Sequence, residues 1–293
     1  MKKFTLVITT IIAAALLMSC SNVAKETIKE NAAASETEAE MITPKPLSEI
    51  ETQESIIKKD ENGEFIKPEK LGAVITLGKY KGLTTTLDKV EVTDEEVEKE
   101  LKNVHAADPA VDEADRQKDP DDAWVEAYTG GEYKSIDEFK GFIRDKMETL
   151  EQSTVEASAQ NDLITQVLEN SEINVTTEAI EYYYQTTMEE YRKAAEAAGM
   201  DVDDYINQSG FDPDALKLQL SYYAEESVKQ KLMTDAIMKA ENLTLEDADY
   251  QIIADLYGYD IETMKKLYGE ENFEDYAKSY KIVRFIYENA NFK

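Results

Sequence analysis

The chain has 293 residues, and its 32 Lys and Arg are outnumbered by 62 Asp and Glu, which gives a formal net charge of -30. So acidic a chain excludes nucleic acid as a partner, because binding to phosphates requires clustered cations. A single Cys and a single His exclude an internal disulfide and a transition-metal site built from several such ligands. We therefore expect no metal and no cofactor, and the scarcity of Gly and Pro favours helices over turn-rich sheets.

The N-terminus has the features of a bacterial export signal. Lys2 and Lys3 precede an apolar run over residues 4–18, which is short for a membrane span. The run ends in the letters LMSC, which resemble the cleavage box of bacterial lipoproteins, whose cysteine becomes the new N-terminus and carries the acyl chains. We predict a signal peptide over residues 1–19, lipidation of Cys20, and a lipid-anchored location on the extracytoplasmic face of the cell membrane.

Residues 20–70 have the composition of a flexible tether. They are rich in Glu, Lys, Ala, Ser and Thr, and Pro44, Pro46 and Pro68 interrupt any long helix. A coil of this length has a reach on the order of 40 Å, which would hold a folded body clear of the membrane. Because an acidic body is repelled by anionic lipid, we expect only the anchor to touch the membrane.

The folded part begins with a β-prone region. Residues 73–77, AVITL, and residues 83–92 are rich in β-branched side chains, which favours short strands. Thr93 and Glu96 then form a capping box that begins a helix, and the acidic residues 108–122 predict a loop. After the loop comes a small apolar cluster, Trp124, Val125 and Tyr128.

A long helix is predicted next. Ser135 and Glu138 form a second capping box, and no breaker follows before Ser171 apart from Gly141. A helix of about 33 residues would be on the order of 50 Å long. Apolar spacing of four and three predicts a narrow stripe that faces a partner helix and suits an extended arm. The stripe comprises Ile143, Met147, Leu150, Thr154, Ala157, Asn161, Ile164 and Leu168.

Six further helices are predicted from apolar spacing and capping residues. They begin at or just after Thr176 or Thr177, Val202, Asp212, Thr244, Asp260 and Asn272. No strand is expected in this C-terminal part of the chain.

No catalytic motif is recognisable. The chain contains no glycine-rich phosphate loop, no GxSxG and no HExxH. Acidic runs such as residues 94–96 are typical of solvated helix starts, and residues 112–122 lack the spaced pattern of a calcium loop. His105 stands alone near a helix end, where we expect a surface or capping role. We therefore expect no catalytic residue and no enzyme activity.

Tyrosine and methionine are the residues that point to binding. Several lie close together on two of the predicted helices, and they supply the adaptable, amphipathic area that promiscuous binding surfaces use. Core packing explains the same residues about as well, so both interpretations stand at this point. The candidate client-binding residues are Tyr182, Tyr183, Met188, Tyr191, Tyr222, Tyr223 and Met233.

Several segments resemble trigger factor, the bacterial folding chaperone. VTDEEVEKEL, preceded by LGKYKGL, resembles the linker that leads into the isomerase domain of that family. YKSIDEFKGFIRDKM, ENSEINVTTEAIEYYYQ, YINQSGFDPDALKLQL and VKQKLMTDAIMKAENLTLED are similar to its C-terminal domain. The resemblance implies a mainly α fold, an elongated multi-helix chaperone body with long arm helices, which is also SurA-like in plan.

Two departures from the family bear on function. The ribosome-binding N-terminal domain is replaced by the export signal and tether, so we expect no work at the ribosome. The isomerase domain should follow Leu101, but residues 103–123 are far fewer than the roughly 50 that a small domain needs. We predict one chaperone domain over residues 71–293. Its parts are a linker part (71–107), the site of the missing isomerase (108–123) and a helical body (124–293).

The resemblance implies a membrane-anchored, ATP-independent holdase for unfolded or partly folded polypeptides outside the cytoplasmic membrane. Two alternatives remain open at this point. One is a folding factor related to prolyl isomerases, and the other is a lipoprotein that binds one specific envelope partner.

Overall fold

The structure of the protein is a computed structural model that describes residues 57–61, 63, 65–69 and 71–293. The predicted signal peptide, Cys20 and most of the predicted tether lie outside this part. The described residues form nine helices and four short strands, which confirms the mainly α fold class. Among these helices we find none with the length and apolar character needed to cross a bilayer.

The helices follow the predicted order, with one further short helix at the apolar cluster of Trp124, which was not predicted as a helix. They are α1 (Asp94–Ala107), α2 (Asp122–Tyr128), α3 (Ile136–Glu169), α4 (Thr177–Ala197), α5 (Val202–Gln208), α6 (Pro213–Ala240), α7 (Asp247–Tyr257), α8 (Ile261–Tyr268) and α9 (Glu270–Glu288). The strands are β1 (Gly72–Thr76), β2 (Thr84–Thr85), β3 (Glu172–Val175) and β4 (Asn291–Phe292). β1 pairs with β3, and β2 pairs with β4, in two separate sheets.

The chain divides into two compact units. Unit 1 contains the described residues up to Thr84 together with Asp162–Asn291, and unit 2 contains Thr85–Asn161 with Phe292–Lys293. Each unit is therefore built from segments that are distant in sequence. The division predicted from the sequence, at residues 108–123, follows the order of the chain and does not coincide with these units.

Unit 2 has a core of apolar and aromatic side chains. The hydroxyl of Thr93 accepts a hydrogen bond from the Glu96 backbone N–H (3.3 Å), and the Glu96 carboxylate accepts one from the Thr93 N–H (2.8 Å). The predicted capping box therefore begins α1, and the apolar face of that helix packs against residues of α2 and α3. The buried residues of this core are Val92, Val97, Leu101, Val125, Phe139 and Ile143.

Trp124 is the centre of an aromatic cluster beside this core. Its ring stacks on Tyr128 with centroids 5.0 Å apart, and the ring of His105 meets it edge-on at 4.9 Å. His105 is only 6% exposed. The predicted surface role for this histidine is therefore wrong, because the last turn of α1 packs against α2.

Helix α3 has 34 residues, close to the predicted length. The predicted stripe is only partly correct, since Leu150 is 48% exposed while Ala159, Leu163 and Val167 are buried. A seam with a spacing of 3.5 residues drifts by about 20° per heptad around a straight α-helix. In the C-terminal half of α3 the predicted Ile164 is buried and the predicted Leu168 packs on the same cluster, but Ala159, Leu163 and Val167 extend the buried face beyond the predicted stripe.

Strand β3 was not predicted from the sequence, which indicated helix throughout this region. It pairs antiparallel with β1, with Ile75 opposite Ile173 and Thr76 opposite Glu172. Four residues with two β-branched side chains are a weak local signal, and the partner strand is about a hundred residues away in the sequence. The pairing therefore depends on tertiary contacts.

Helix α6 is central to unit 1, because it contacts α4, α9, β1 and β3. With α3 and α9 it encloses the largest buried cluster, which includes Leu163, Val167, Met233, Ile237, Ile282 and Ile286. A second cluster joins α4, α5 and α6, and a third joins α7, α8 and α9.

Several caps of the unit 1 helices are those predicted, but Thr244 is not one, because Glu246 is the N-cap residue of α7. Asp212 and Asp260 each accept a hydrogen bond from a backbone N–H three residues along the chain. Asn272 is not a cap, because α9 begins at Glu270 after Gly269. Its side-chain amide instead donates to the Tyr268 carbonyl oxygen at 3.0 Å.

Candidate functional site

The predicted client-binding residues lie on two adjacent helices. Tyr182, Tyr183, Met188 and Tyr191 are on α4, and Tyr222, Tyr223 and Met233 are on α6. Because α4 packs along α6, the fold brings these helices together although fifteen residues, 198–212, separate them in sequence. The individual side chains nevertheless differ in what they can contact.

The two methionines are core residues. Met188 is 2% exposed and packs with Tyr184 and Ile206 between α4, α5 and α6, and Met233 is also 2% exposed in the cluster with α3 and α9. In this conformation neither side chain offers contact area to a client. The prediction that they bind clients is therefore replaced by core packing, the other interpretation that the sequence left open.

Three of the tyrosines are half-buried against these cores. Tyr191 and Tyr223 pack at the edge of the cluster shared by α4, α5 and α6, and Tyr183 does so as well. The Tyr223 hydroxyl accepts a hydrogen bond from Gln219 Nε2 at 3.0 Å. Tyr222 differs from them, since it is 47% exposed and is accessible to solvent or to a ligand.

Tyr182 and Tyr183 form an edge-to-face pair with ring centroids 5.5 Å apart. Burial raises the pKa of both hydroxyls, and the nearby Lys67 ammonium opposes that rise. Lys67 belongs to the last part of the predicted tether, and its charge acts on both tyrosines. Tyr183 also packs at the edge of the apolar core.

Large apolar side chains are exposed around the same helices. Leu218 and Tyr222 are four residues apart on α6 and so share one face, and Met200 and Phe211 flank α5. A shallow depression at the end of α4 is lined by Arg192, Met200 and Val202, among others. Of the four exposed side chains only Tyr222 was predicted. Met200 and Phe211 lie outside helices and carry no periodic signal, and Leu218 lies outside the predicted apolar stripe of its helix.

A second group of aromatic side chains lies on α7, α8 and α9, and Tyr268 and Tyr276 of this group are exposed. The hydroxyls of Tyr257 and Tyr276 are 3.0 Å apart, and the ring of Tyr268 lies 6.0 Å from that of Tyr257. Burial of its hydroxyl end, and then this hydrogen bond, raise the pKa of Tyr276, although the whole residue is 38% exposed. These tyrosines come from three helices, so only the tertiary structure brings them together.

Comparison with known proteins identifies the family. The family model described as "Bacterial trigger factor protein (TF) C-terminus" matches residues 135–288, which is more than half of the chain. The chain belongs to the trigger factor family. All the exposed tyrosines described above lie within the matched residues.

The curated relatives include trigger factors of several bacteria. The trigger factor of Bacillus subtilis is 28% identical over 163 residues, covering 54% of this chain and 38% of the relative. That of Bacillus licheniformis is 27% identical over 168 residues, 53% of this chain and 40% of the relative. That of Geobacillus sp. is 27% identical over 187 residues, 62% of this chain and 41% of the relative. The chain spans about two fifths of the length of these relatives.

The match is to the C-terminal part of trigger factor. Between Ala107 and Asp122 the structure has a loop that joins α1 directly to α2, where the resemblance places the isomerase domain. In the described part of the chain, no group of three or more His, Cys, Asp or Glu side chains is arranged to hold a metal ion.

Proposed function

We propose that the protein is an ATP-independent holdase that binds unfolded or partly folded polypeptides on unit 1. The observation that carries this proposal is the trigger factor match over residues 135–288. It is supported by exposed tyrosine and aliphatic side chains at two places on the matched helices. Such side chains offer large contact area at low entropic cost, and many weak contacts permit release without a nucleotide.

The site of action is also part of the proposal. An export signal over residues 1–19 and lipidation of Cys20 would place the chaperone at the extracytoplasmic face of the cell membrane, away from the ribosome. The short connection between α1 and α2 supports a chaperone without isomerase activity. The acidic body would keep bound clients soluble.

Aggregation assays test the holdase proposal. We expect the mature protein to suppress the aggregation of a denatured client at near-stoichiometric ratio. Replacing Leu218 and Tyr222 together by Ser should weaken this suppression without lowering the melting temperature, because both side chains are exposed. Leu150→Ser, which removes an exposed side chain of α3, is the matched control.

The same experiment separates the alternatives. No suppression at severalfold excess would contradict the holdase proposal. Acceleration of proline isomerisation in a parallel peptide assay would show that the chain is an enzyme after all.

A separate variant tests the anchor. With Cys20→Ala, we expect the protein to lack acyl chains and to keep an uncleaved signal peptide, because lipidation and cleavage both require this cysteine; the intact mass measures both. A protein that stays in the membrane fraction with a cleaved signal peptide would contradict lipidation at this residue.

A further inference from the structure

The last part of the predicted tether is packed on unit 1. We call residues 57–69 the strap, of which the structure describes 57–61, 63 and 65–69. The strap turns back on itself, because the Ile66 N–H donates to the Lys58 carbonyl oxygen at 2.8 Å and Gly63 takes a positive φ in the turn. Ile57, at its start, is 9% exposed. The strap is therefore folded, unlike the flexible chain that its composition predicts.

Two lysines of the strap form ion pairs with different helices of unit 1. Lys59 Nζ lies 3.1 Å from Glu189 Oε1 on α4. Lys67 Nζ lies 2.7 Å from Glu271 Oε1 and 3.2 Å from Asp275 Oδ2 on α9. The strap therefore bridges α4 and α9.

The acceptors around Lys67 suit an ammonium group. The side chain of Asp275 is 20% exposed, and its other oxygen lies 2.9 Å from Lys231 Nζ on α6, so its position is held from a second side. Burial disfavours the charge on Lys67, but hydrogen bonds to Glu271 and Asp275 outweigh it and raise the pKa of this lysine. The site therefore holds a charged, largely enclosed lysine.

The charges of this site act on the Tyr182–Tyr183 pair of α4, whose ring centroids are 5.5 Å apart. Lys67 lies close enough to Tyr182 and Tyr183 to influence the pKa of both. A lysine stem packs well on such rings while its ammonium group reaches the carboxylates. Carboxylates and aromatic rings together are a chemistry that recognises a lysine flanked by apolar residues.

We propose that Glu271, Asp275 and the Tyr182–Tyr183 pair form a binding site for a lysine side chain of an extended polypeptide. In the free chain, Lys67 of the strap occupies this site. A client segment that carries a lysine among apolar residues displaces the strap, because it satisfies the same carboxylates. The inference rests on the proposed function only in taking the displacing segment from an unfolded client.

The contacts of the strap are suited to displacement. Glu271 is 72% exposed, and Lys59 is 39% exposed, so these pairs are screened by water and salt. Ile66 is 51% exposed and therefore adds little apolar burial. The strap therefore occupies the lysine site through contacts that a competing ligand can replace.

Zero-length cross-linking tests the occupied state. In the purified mature chain, carbodiimide should join Lys67 to Glu271 or Asp275, and mass spectrometry can measure the joined peptides. The exposed pair of Lys102 and Asp119, 2.8 Å apart in unit 2, serves as an internal standard. Absence of the Lys67 cross-link while the standard forms would overturn the proposal.

Competition with a defined peptide tests the specificity. The probe is an apolar peptide with one central lysine, and its partner has Gln in place of that lysine. At about ten times its Kd, the lysine peptide should reduce the Lys67 cross-link by about tenfold, as competition for one site requires, and leave the standard unchanged. Equal effects of the two peptides, or none, would overturn the lysine specificity.

A strap variant completes the test. Lys67→Ala should raise the affinity for the lysine peptide severalfold, because the competitor is lost, whereas Lys102→Ala should not. If aggregation is not suppressed but the cross-link still responds to the lysine peptide, the holdase proposal fails and the binding site stands. If aggregation is suppressed but the cross-link never forms, the reverse holds.

Discussion

At the scale of single residues, Asp108 holds the loop between α1 and α2 in place. Its carboxylate is 8% exposed and accepts hydrogen bonds from Trp124 Nε1–H (2.9 Å) and from the Ala110 N–H (2.9 Å). It therefore ties the end of α1 to the aromatic cluster on α2. The resemblance places the isomerase domain at this point of the chain. In its place is a short loop, which the buried carboxylate of Asp108 holds against α2.

Removing this carboxylate should destabilise unit 2. Asp108→Ala leaves the indole N–H of Trp124 without its acceptor, which costs about 1–3 kcal/mol. Urea unfolding followed by fluorescence measures it directly, because Trp124 is the single tryptophan of the chain. Asp115→Ala, in the same loop but at an exposed ion pair with Lys118, should change stability little. Equal stability of the two variants would contradict this role.

At the scale of elements, β1 and its turn pack closely on the segment after α3. A Cβ atom at Gly78 would lie 1.9 Å from the Asn170 carbonyl oxygen. The Gly78 N–H also donates to Ser171 Oγ at 3.0 Å. Position 78 therefore requires glycine, because the backbone there lies too close to the backbone of Asn170 for any side chain to fit.

Two glycine substitutions should have opposite effects. Gly78→Ala forces these backbones apart and should lower the free energy of unfolding by more than about 1 kcal/mol. Gly141→Ala lies inside α3 with nothing within 4 Å of the added Cβ, and it should raise stability by about 0.5–1 kcal/mol. Thermal unfolding by circular dichroism measures both, and a stabilising Gly78→Ala would show that the contact is looser than described.

An ion pair joins α7 to α9. Lys281 Nζ lies 2.7 Å from Asp249 Oδ2, which also accepts from the Glu246 N–H at 2.8 Å. Burial alone would raise the pKa of Asp249, but these two donors outweigh it and hold the pKa below its usual range. The stabilisation is therefore present above the usual carboxyl range and is lost as the pH falls through the lowered pKa.

In the Asp249→Asn variant, the melting temperature should fall less steeply with decreasing pH than in the wild type. At neutral pH we expect a loss of about 1 kcal/mol, the upper end for a pair near the surface, and a smaller further loss than in the wild type on acidification. Melting temperatures at a series of pH values measure this, with Asp255→Asn on the same helix as control. Parallel curves for Asp249→Asn and the wild type would contradict the assignment.

At the scale of the whole molecule, the net charge of -30 bears on which clients the proposed holdase would capture. A strongly negative field attracts cationic chains and repels anionic ones, and salt screens it with a Debye length of about 10 Å at 0.1 M. This long-range attraction supplements binding at the lysine site proposed above. It acts before the two chains touch and does not depend on a specific orientation of the client.

Client capture should therefore depend on salt and on client charge. Raising the ionic strength from about 0.02 to 0.2 M should slow the capture of a basic unfolded client by about tenfold or more. The capture of an acidic client should become faster under the same change. Stopped-flow fluorescence with a labelled client measures both rates. Capture rates that do not change with ionic strength for either client would show that charge does not guide capture.

The amino-acid sequence by itself determined the features that depend on local spacing. The capping box at Thr93 and Glu96, the length of α3 and the start of α6 after Asp212 follow from residues a few positions apart, where helix geometry acts directly. The family resemblance added the C-terminal fold.

The tertiary structure decided what depends on partners distant in sequence. It made Met188 and Met233 core residues, paired β3 with β1, grouped the tyrosines of α7, α8 and α9, and placed Lys67 between Glu271 and Asp275. Apolar spacing shows that a side chain faces inward or outward on its own helix, but burial depends on which other element packs there.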